Sequence, residues 1–282
     1  MLQHVFNGLV GGSFLALLAL GLAVIFGMLR VVNFAHGAIY MLGAFGALLV
    51  PSFWWALLIV PVVLGVAGMG LERTLVRRLA KLDPLYNFLL TFGLTLIFQD
   101  LVKWRFGVQS SPYATPELLS GSVDLGPFDF PRYRVFVLAV AVVTCAAVWW
   151  LLSRTRVGMI VRAATERPEL TGALGVNVGR WVTPVFGFGV ALAALAGVLA
   201  APMRAVNPLM GADLIIVVFA VVVIGGLGSI FGSVAAAFVV GVLQALSEAY
   251  LDSALISQIM VYLVMAVVLL WRPAGLFGRE EA

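Results

Sequence analysis

Charge is scarce in this 282-residue chain: Asp, Glu, Lys and Arg make up 11% of it, against 63% hydrophobic residues. With a mean hydropathy of +1.12, the composition lies outside the range of soluble domains and marks a polytopic integral membrane protein, with no nucleic-acid partner expected. Cysteine is nearly absent. The single thiol, Cys145, sits in an apolar run, which excludes an internal disulfide and any cysteine-rich metal site. No metal or cofactor is expected. The phosphate-loop pattern G-x-x-x-x-G-K-[ST] does not occur, so the chain is not expected to bind ATP or to be an enzyme. No ionisable residue falls in the middle of a full-length apolar run, which argues against a proton relay. The first apolar run lacks a basic leading region and a small-x-small cleavage pattern, and is read as a retained span, not a signal peptide.

What the chain has in abundance is apolar runs. Measured against the roughly 20 residues needed to cross a bilayer, full-length candidates lie near 5–29, 53–71, 86–104, 134–152, 182–201, 232–250 and 256–271, with shorter runs at 37–51 and 213–228. Lipid cannot satisfy free backbone amides, so these segments must be helices and the fold class is all-α, a polytopic transmembrane helical bundle. The distribution of Lys and Arg assigns the sides. Arg30, the cluster Arg73, Arg77, Arg78 and Lys81, the group Arg154, Arg156, Arg162, Arg167 and Arg180, and the tail's Arg272 and Arg279 are placed in the cytoplasm. That puts the N-terminus outside and the C-terminus inside, with nine segments, or eight if one short run is re-entrant. Residues 1–282 read as one transmembrane domain, with an external loop at 106–133, whose four prolines forbid a span, and a cytoplasmic loop at 154–180. Asp100 with Gln99, Asp213, and Glu248 with Gln244 lie toward segment ends, in solvated or capping positions.

Two octapeptides resemble each other. Residues 30–37 read RVVNFAHG and residues 204–211 read RAVNPLMG, both R-x-V-N-x-x-x-G. Each follows a glycine- and alanine-rich span and precedes a short run, one copy ending an inward helix and the other an outward helix. This is the arrangement of an inverted repeat, in which corresponding short or interrupted segments often line a substrate path. Asn33 and Asn207 can cap the helix that follows each break and donate to carbonyls left free by the helix before it. They are caps alone, or they also line the path, as His36 and Gly37 then would. The second short run ends in GGLGSIFG, where Gly225, Gly226, Gly228 and Gly232 allow a tight reversal or a close helix approach, and Gly225, Gly226, Gly228 and Ser229 are expected beside the path.

The loop RTRVGMIVRAATERPELTGALGVNVGR, residues 154–180, is too polar to span and too patterned for a plain linker. Pro168 fits a first helical position, Glu169 the positive helix end, and Gly175 the terminus. Leu170 and Leu174 then share a face. Such a ridge suits docking to a cytoplasmic partner, or an interfacial helix lying on membrane lipid.

Four stretches carry a resemblance: NGLVGGSFLALLALGLAVIFGMLRVVNFAHGAIYMLGAF, RAATERPELTGALGVN, GVLAAPMRAVNPLMG and GGLGSIFGS. Together they resemble the LivH-type permease subunit of branched-chain amino acid ABC importers, nearly end to end. The resemblance implies an inner-membrane importer with a homologous second permease, two cytoplasmic ABC ATPase subunits and a periplasmic solute-binding protein. Its cargo would be branched-chain or other hydrophobic amino acids; amides, urea and aromatic acids are alternatives within the family. It further implies that Glu166, Arg167, Pro168, Glu169, Leu170, Thr171, Gly172, Ala173, Leu174 and Gly175 form the coupling helix. The loop has Ala163, Ala164 and Gly172 but no Glu-Ala-Ala, so it departs from the consensus of ABC importers. Two other classes fit parts of the pattern. An aquaporin-like channel would share the paired asparagine turns but would have no use for the loop, and an ion-coupled carrier would want a buried carboxylate or an unwound ion site.

Overall fold

The computed structural model describes residues 1–29, 31–79, 82–124, 129–251 and 253–278. Arg30, Lys81 and Arg279, expected on the basic side, lie outside the described residues, as do the side chains of Glu166 and Pro168. The chain is helical nearly throughout: α1 (Leu2–Leu29), α2 (Ala35–Leu49), α3 (Phe53–Leu71), a π-helical turn (Glu72–Val76), α4 (Arg77–Leu79), α5 (Pro84–Phe106), α6 (Arg132–Arg154), α7 (Arg156–Glu166), α8 (Pro168–Ala173), α9 (Val178–Ala200), α10 (Met210–Gly225), α11 (Ile230–Leu251) and α12 (Ala254–Trp271). Among the described residues six are long and apolar enough to cross a membrane, where the sequence suggested seven with 256–271: α1, α3 with its continuation to Leu79, α5, α6, α9 and α11. Three apolar helices, α2, α10 and α12, are shorter.

Local chemistry sets the ends. At α5, Asp83 accepts from Leu85 N at 2.8 Å and Pro84 takes the first position, where its missing N–H costs nothing. Thr155, Asn177 and Ser253 cap α7, α9 and α12 in the same way. Between α5 and α6 the loop is not featureless. It holds a 3₁₀ turn at Glu117–Leu119 and a two-stranded antiparallel hairpin, β1 (Ser122–Asp124) with β2 (Asp129–Pro131).

Burial separates interior helices from boundary helices. The most apolar stretch of α1 is 83% buried, whereas those of α3, α5 and α6 are 28%, 28% and 22% buried. Lipid offers no hydrophobic drive to helix association, so the interior ones pack through small residues that let backbones approach. α1 lies on α11 with Gly8 and Gly12 against Gly241, Val242 and Phe238, and α9 lies on α3 with Gly187 against Gly65 and Met69. The outward faces of α3, α5, α6 and α12 carry exposed Leu, Val and Ile. Exposed tryptophans fall at two levels: Trp54, Trp55 and Trp104 at one end of the bundle, and Trp149, Trp150 and Trp271 at the other. These are the aromatic belts expected at the two membrane interfaces. The second belt lies at the end bearing α7 and α8, which is also the basic end.

Candidate functional site: paired helix breaks and a basic-side loop

The two octapeptides adopt matching turns. In the first, Asn33 Oδ1 accepts from Ala35 N at 3.1 Å and the Asn33 carbonyl accepts from His36 N at 3.2 Å. In the second, Asn207 Oδ1 accepts from Leu209 N at 3.0 Å and the Asn207 carbonyl accepts from Met210 N at 3.3 Å. Both asparagines therefore form an Asx turn that leads into the following helix, whose N-caps are Phe34 and Leu209 without a side-chain cap bond. The expected donation to carbonyls at the end of the preceding helix is not seen among the described residues: Asn207 Nδ2 gives a hydrogen bond to the Ala205 carbonyl within the turn at 3.3 Å, and Asn33 Nδ2 is buried with no partner among the described residues. Asn33 turns its amide away from the end of α1 and into the bundle.

The breaks lie deep. His36 is fully buried and its Nε2 is 3.1 Å from the carbonyl of Leu18, near the middle of α1. A Cβ on Gly21 would meet the same imidazole at 3.0 Å. Residues 31–34 thus carry the chain back inward, and α2 starts level with mid-α1. The closing glycines of the two octapeptides face each other: a Cβ on either Gly37 or Gly211 would run into the other's carbonyl. Two short helices thus meet by their N-terminal turns inside the bundle. The packing partners obey the same exchange, α1 lying on α11 as α9 lies on α3. The inverted repeat read from four identities is a feature of the fold.

Around the first break polar atoms converge without pairing. Asn33 Nδ2, His36 Nδ1 and Tyr40 Oη are all buried and unpartnered among the described residues. His36 and Tyr40 are spaced i, i+4 on one face of α2, and Asn33 lies in the turn just before it. Asn87 Oδ1, on α5 beside the edge-on Phe34–Phe88 pair, is in the same condition. Each such group costs about 1–3 kcal/mol if nothing ever satisfies it. Tyr40 was findable in the sequence from its spacing; Asn87 was not, because its depth depends on how α5 packs.

The glycine-rich stretch makes the expected reversal. Gly226 (φ 105°) and Gly228 (φ 83°) have left-handed backbones that L side chains avoid, and Gly225 packs directly on Gly232. Ser229 Oγ accepts from Gly232 N at 3.2 Å, capping α11. The chain's end straps this turn, with Leu276 N and Phe277 N donating to the carbonyls of Ile224 and Gly225 at 2.9 and 3.1 Å. A cavity of about 410 Å³ opens beside it, lined by Gly27, Trp149, Arg162, Thr165, Gly228 and Ser229. It joins the glycine turn to α7 and does not reach Asn33 or His36.

The basic-side loop differs from the single helix expected over Glu166–Gly175. Glu166 ends α7, Arg167 breaks the helix (φ −143°, ψ 75°), and α8 comprises Pro168–Ala173. Thr171 and Gly172 lie within α8, Leu174 caps it, and Gly175 turns left-handed (φ 88°). The reason is Pro168, whose ring disfavours a helical residue before it. Leu170 is 55% and Leu174 85% exposed, so their ridge is uncovered by this chain. α7 has its own stripe at Val157, Val161 and Ala164, with the last two buried. Asp213 occupies the first turn of α10 and is exposed, where the positive helix end favours it.

Among the described residues no group of three or more His, Cys, Asp or Glu could hold a metal ion.

The comparisons with known proteins agree with this architecture. Residues 4–270 match the family described as "Branched-chain amino acid transport system / permease component". The chain is 29% identical to the high-affinity branched-chain amino acid transport system permease protein LivH of Escherichia coli (strain K12), over 99% of this chain and 96% of that one. It is equally similar, with the same coverage, to the corresponding protein BraD of Pseudomonas aeruginosa. A more distant similarity, 28% identity over 64% of this chain, connects it to the fructose import permease protein FrcC of Rhizobium meliloti. No solved structure matches it. The paired breaks, the interior glycine packing and the full-length match lead to one assignment: the chain belongs to the family of permease components of branched-chain amino acid transport systems.

Proposed function

We propose that this permease subunit moves branched-chain amino acids inward across a bacterial inner membrane, working with a second permease, two cytoplasmic ATPases and an external solute-binding protein. The observation that carries the reading is the α8 ridge: two leucines more than half exposed at the basic end, on a loop between two spans. A hydrophobic ridge between two spans suits the groove of a partner subunit. The cargo rests on the printed names of the curated relatives, and the fructose permease among them keeps other small solutes as the test's alternative.

In this reading the path passes the first break. Half-helix N-terminal turns present backbone N–H groups and a positive dipole end, which suit a carboxylate. Asn33, His36 and Tyr40 add polar atoms that a passing zwitterion can satisfy when the surrounding helices separate. Gly225, Gly226, Gly228 and Ser229 lie toward the basic end and form the inner side of the route.

A passive channel would also use paired breaks meeting at mid-depth, and the Gly37–Gly211 contact is the observation that favours that rival. The test is co-purification and uptake. The chain expressed with its ATPases should form a stable complex that imports labelled leucine, isoleucine or valine only with ATP. Leu170→Asp combined with Leu174→Asp should abolish the complex. Uptake that persists without any ATPase sinks the importer reading.

A further inference from the structure

A buried carboxylate sits where neither the path nor the α8 ridge uses it. Glu72 has no exposed side-chain surface. It accepts from Arg77 Nε at 2.9 Å, from an Arg77 terminal nitrogen at 3.2 Å and from Thr183 Oγ1 at 2.6 Å. Arg77 also donates to Thr183 Oγ1 at 2.6 Å and to the Gly179 carbonyl at 2.8 Å. Glu72 and Arg77 belong to the end of α3 and its continuation; Gly179 and Thr183 belong to the first turns of α9, directly after the α7–α8 loop.

The local helix geometry exists for this contact. In an α-helix, residues five apart point about 140° from each other. The π-helical turn Glu72–Val76 closes i to i+5 bonds and stacks them on one face. One widened turn thus makes a two-point grip for Arg77. Across from it, Pro184 lacks the N–H that would bond the Arg180 carbonyl, so the first turn of α9 is held less by its own helix and more by the Glu72–Arg77–Thr183 group. Beyond the group, α3 and α9 pack through Gly65, Gly68, Gly187 and Val190, and α3 in turn touches α2 where Val60 covers Gly46. A continuous set of contacts joins α8 to α2, the helix that bears His36 and follows Asn33.

We propose that Glu72, Arg77 and Thr183 form a transmission clamp: positioning residues that carry displacement of the α8 ridge through the start of α9 into α3 and on to the first break. The inference rests on the importer reading. Contiguity alone does not establish coupling, so the test separates work from assembly. In the reconstituted complex of permeases, ATPases and binding protein, labelled-leucine uptake and ATP hydrolysis are measured in the same proteoliposomes. Thr183→Val keeps the ion pair and the shape but removes the hydroxyl. It should lower leucine moved per ATP about tenfold, a typical size for coupling between sites, with hydrolysis within about twofold of wild type and the complex intact. Thr183→Ser should restore the ratio, and Glu72→Gln should lower it in the same direction. An unchanged ratio in Thr183→Val and Glu72→Gln against a coupled wild type overturns the clamp alone. So do uptake and hydrolysis that fall in proportion, or Thr183→Ser behaving like Thr183→Val. A wild-type complex that moves leucine without ATP overturns the importer reading and the clamp with it.

Discussion

The two helix breaks share a backbone and differ in everything around it. At the first, Asn33 is 3% and His36 0% exposed, and the side-chain donors point into packed protein. At the second, Asn207 is half-buried, both ends of its amide are bonded, Arg204 and Leu209 are exposed, and the chain is pinned from outside by a bridge in which Ser111 and Val206 exchange backbone hydrogen bonds of 2.8 and 3.1 Å. The duplicated geometry is thus kept where it shapes the backbone, and the side chains have diverged into an interior break and a rim break. Under the proposed function, the unpaired polar atoms of the first break serve the path, and the fully bonded second turn serves as a frame.

The strongest way to break both copies at once is at their shared contact. Gly37→Val or Gly211→Val drives a side chain into the opposing backbone, and overpacking of this kind costs about 1–3 kcal/mol or more. Either variant should unfold at lower temperature in detergent and lose transport. Asn33→Ala then separates the copies. It should lower transport about tenfold, equivalent to about 1.4 kcal/mol in the barrier, while complex assembly and basal ATP hydrolysis persist. If assembly is lost instead, the first break is also only a frame. Asn207→Ala should act mainly on stability, by about 1 kcal/mol for the lost turn hydrogen bonds, with uptake near wild type. The smallest effect belongs to the pin. Ser111→Pro removes the N–H that bonds Val206, worth about 1 kcal/mol, and should speed proteolysis of the 107–131 loop without changing transport per ATP.

Much of this was legible in the sequence, and the misses have physical reasons. Long uncharged runs must be helices in lipid, so the spans and the class followed from composition. The breaks at Asn33 and Asn207 were legible because turns need particular side chains at particular places, although both asparagines make Asx turns and neither is the helix cap expected of it. Pro168 and Gly175 marked the bounds of α8 for the same reason, although the break at Arg167 is a consequence of Pro168 that the expected ten-residue helix did not include. α7 could have been found from Thr155 and the spacing of Val157, Val161 and Ala164. The Glu72–Arg77 pair could not, because a search at a 3.6-residue period separates residues five apart; only the widened turn unites them. The strap of Leu276 and Phe277 on the glycine turn leaves no periodic mark at all.

The enclosure of α1 has a consequence for how the protein is made. Its glycine face is covered by α11 and α9, which lie far downstream in the chain, so α1 enters the bilayer well before the helices that cover it. Through most of translation it must wait with Gly8, Gly12 and Gly21 turned toward lipid or toward the insertion machinery. Biogenesis of this bundle is therefore a closing of later helices around α1, and a ribosome stalled before α9 should leave a membrane-inserted but protease-sensitive chain.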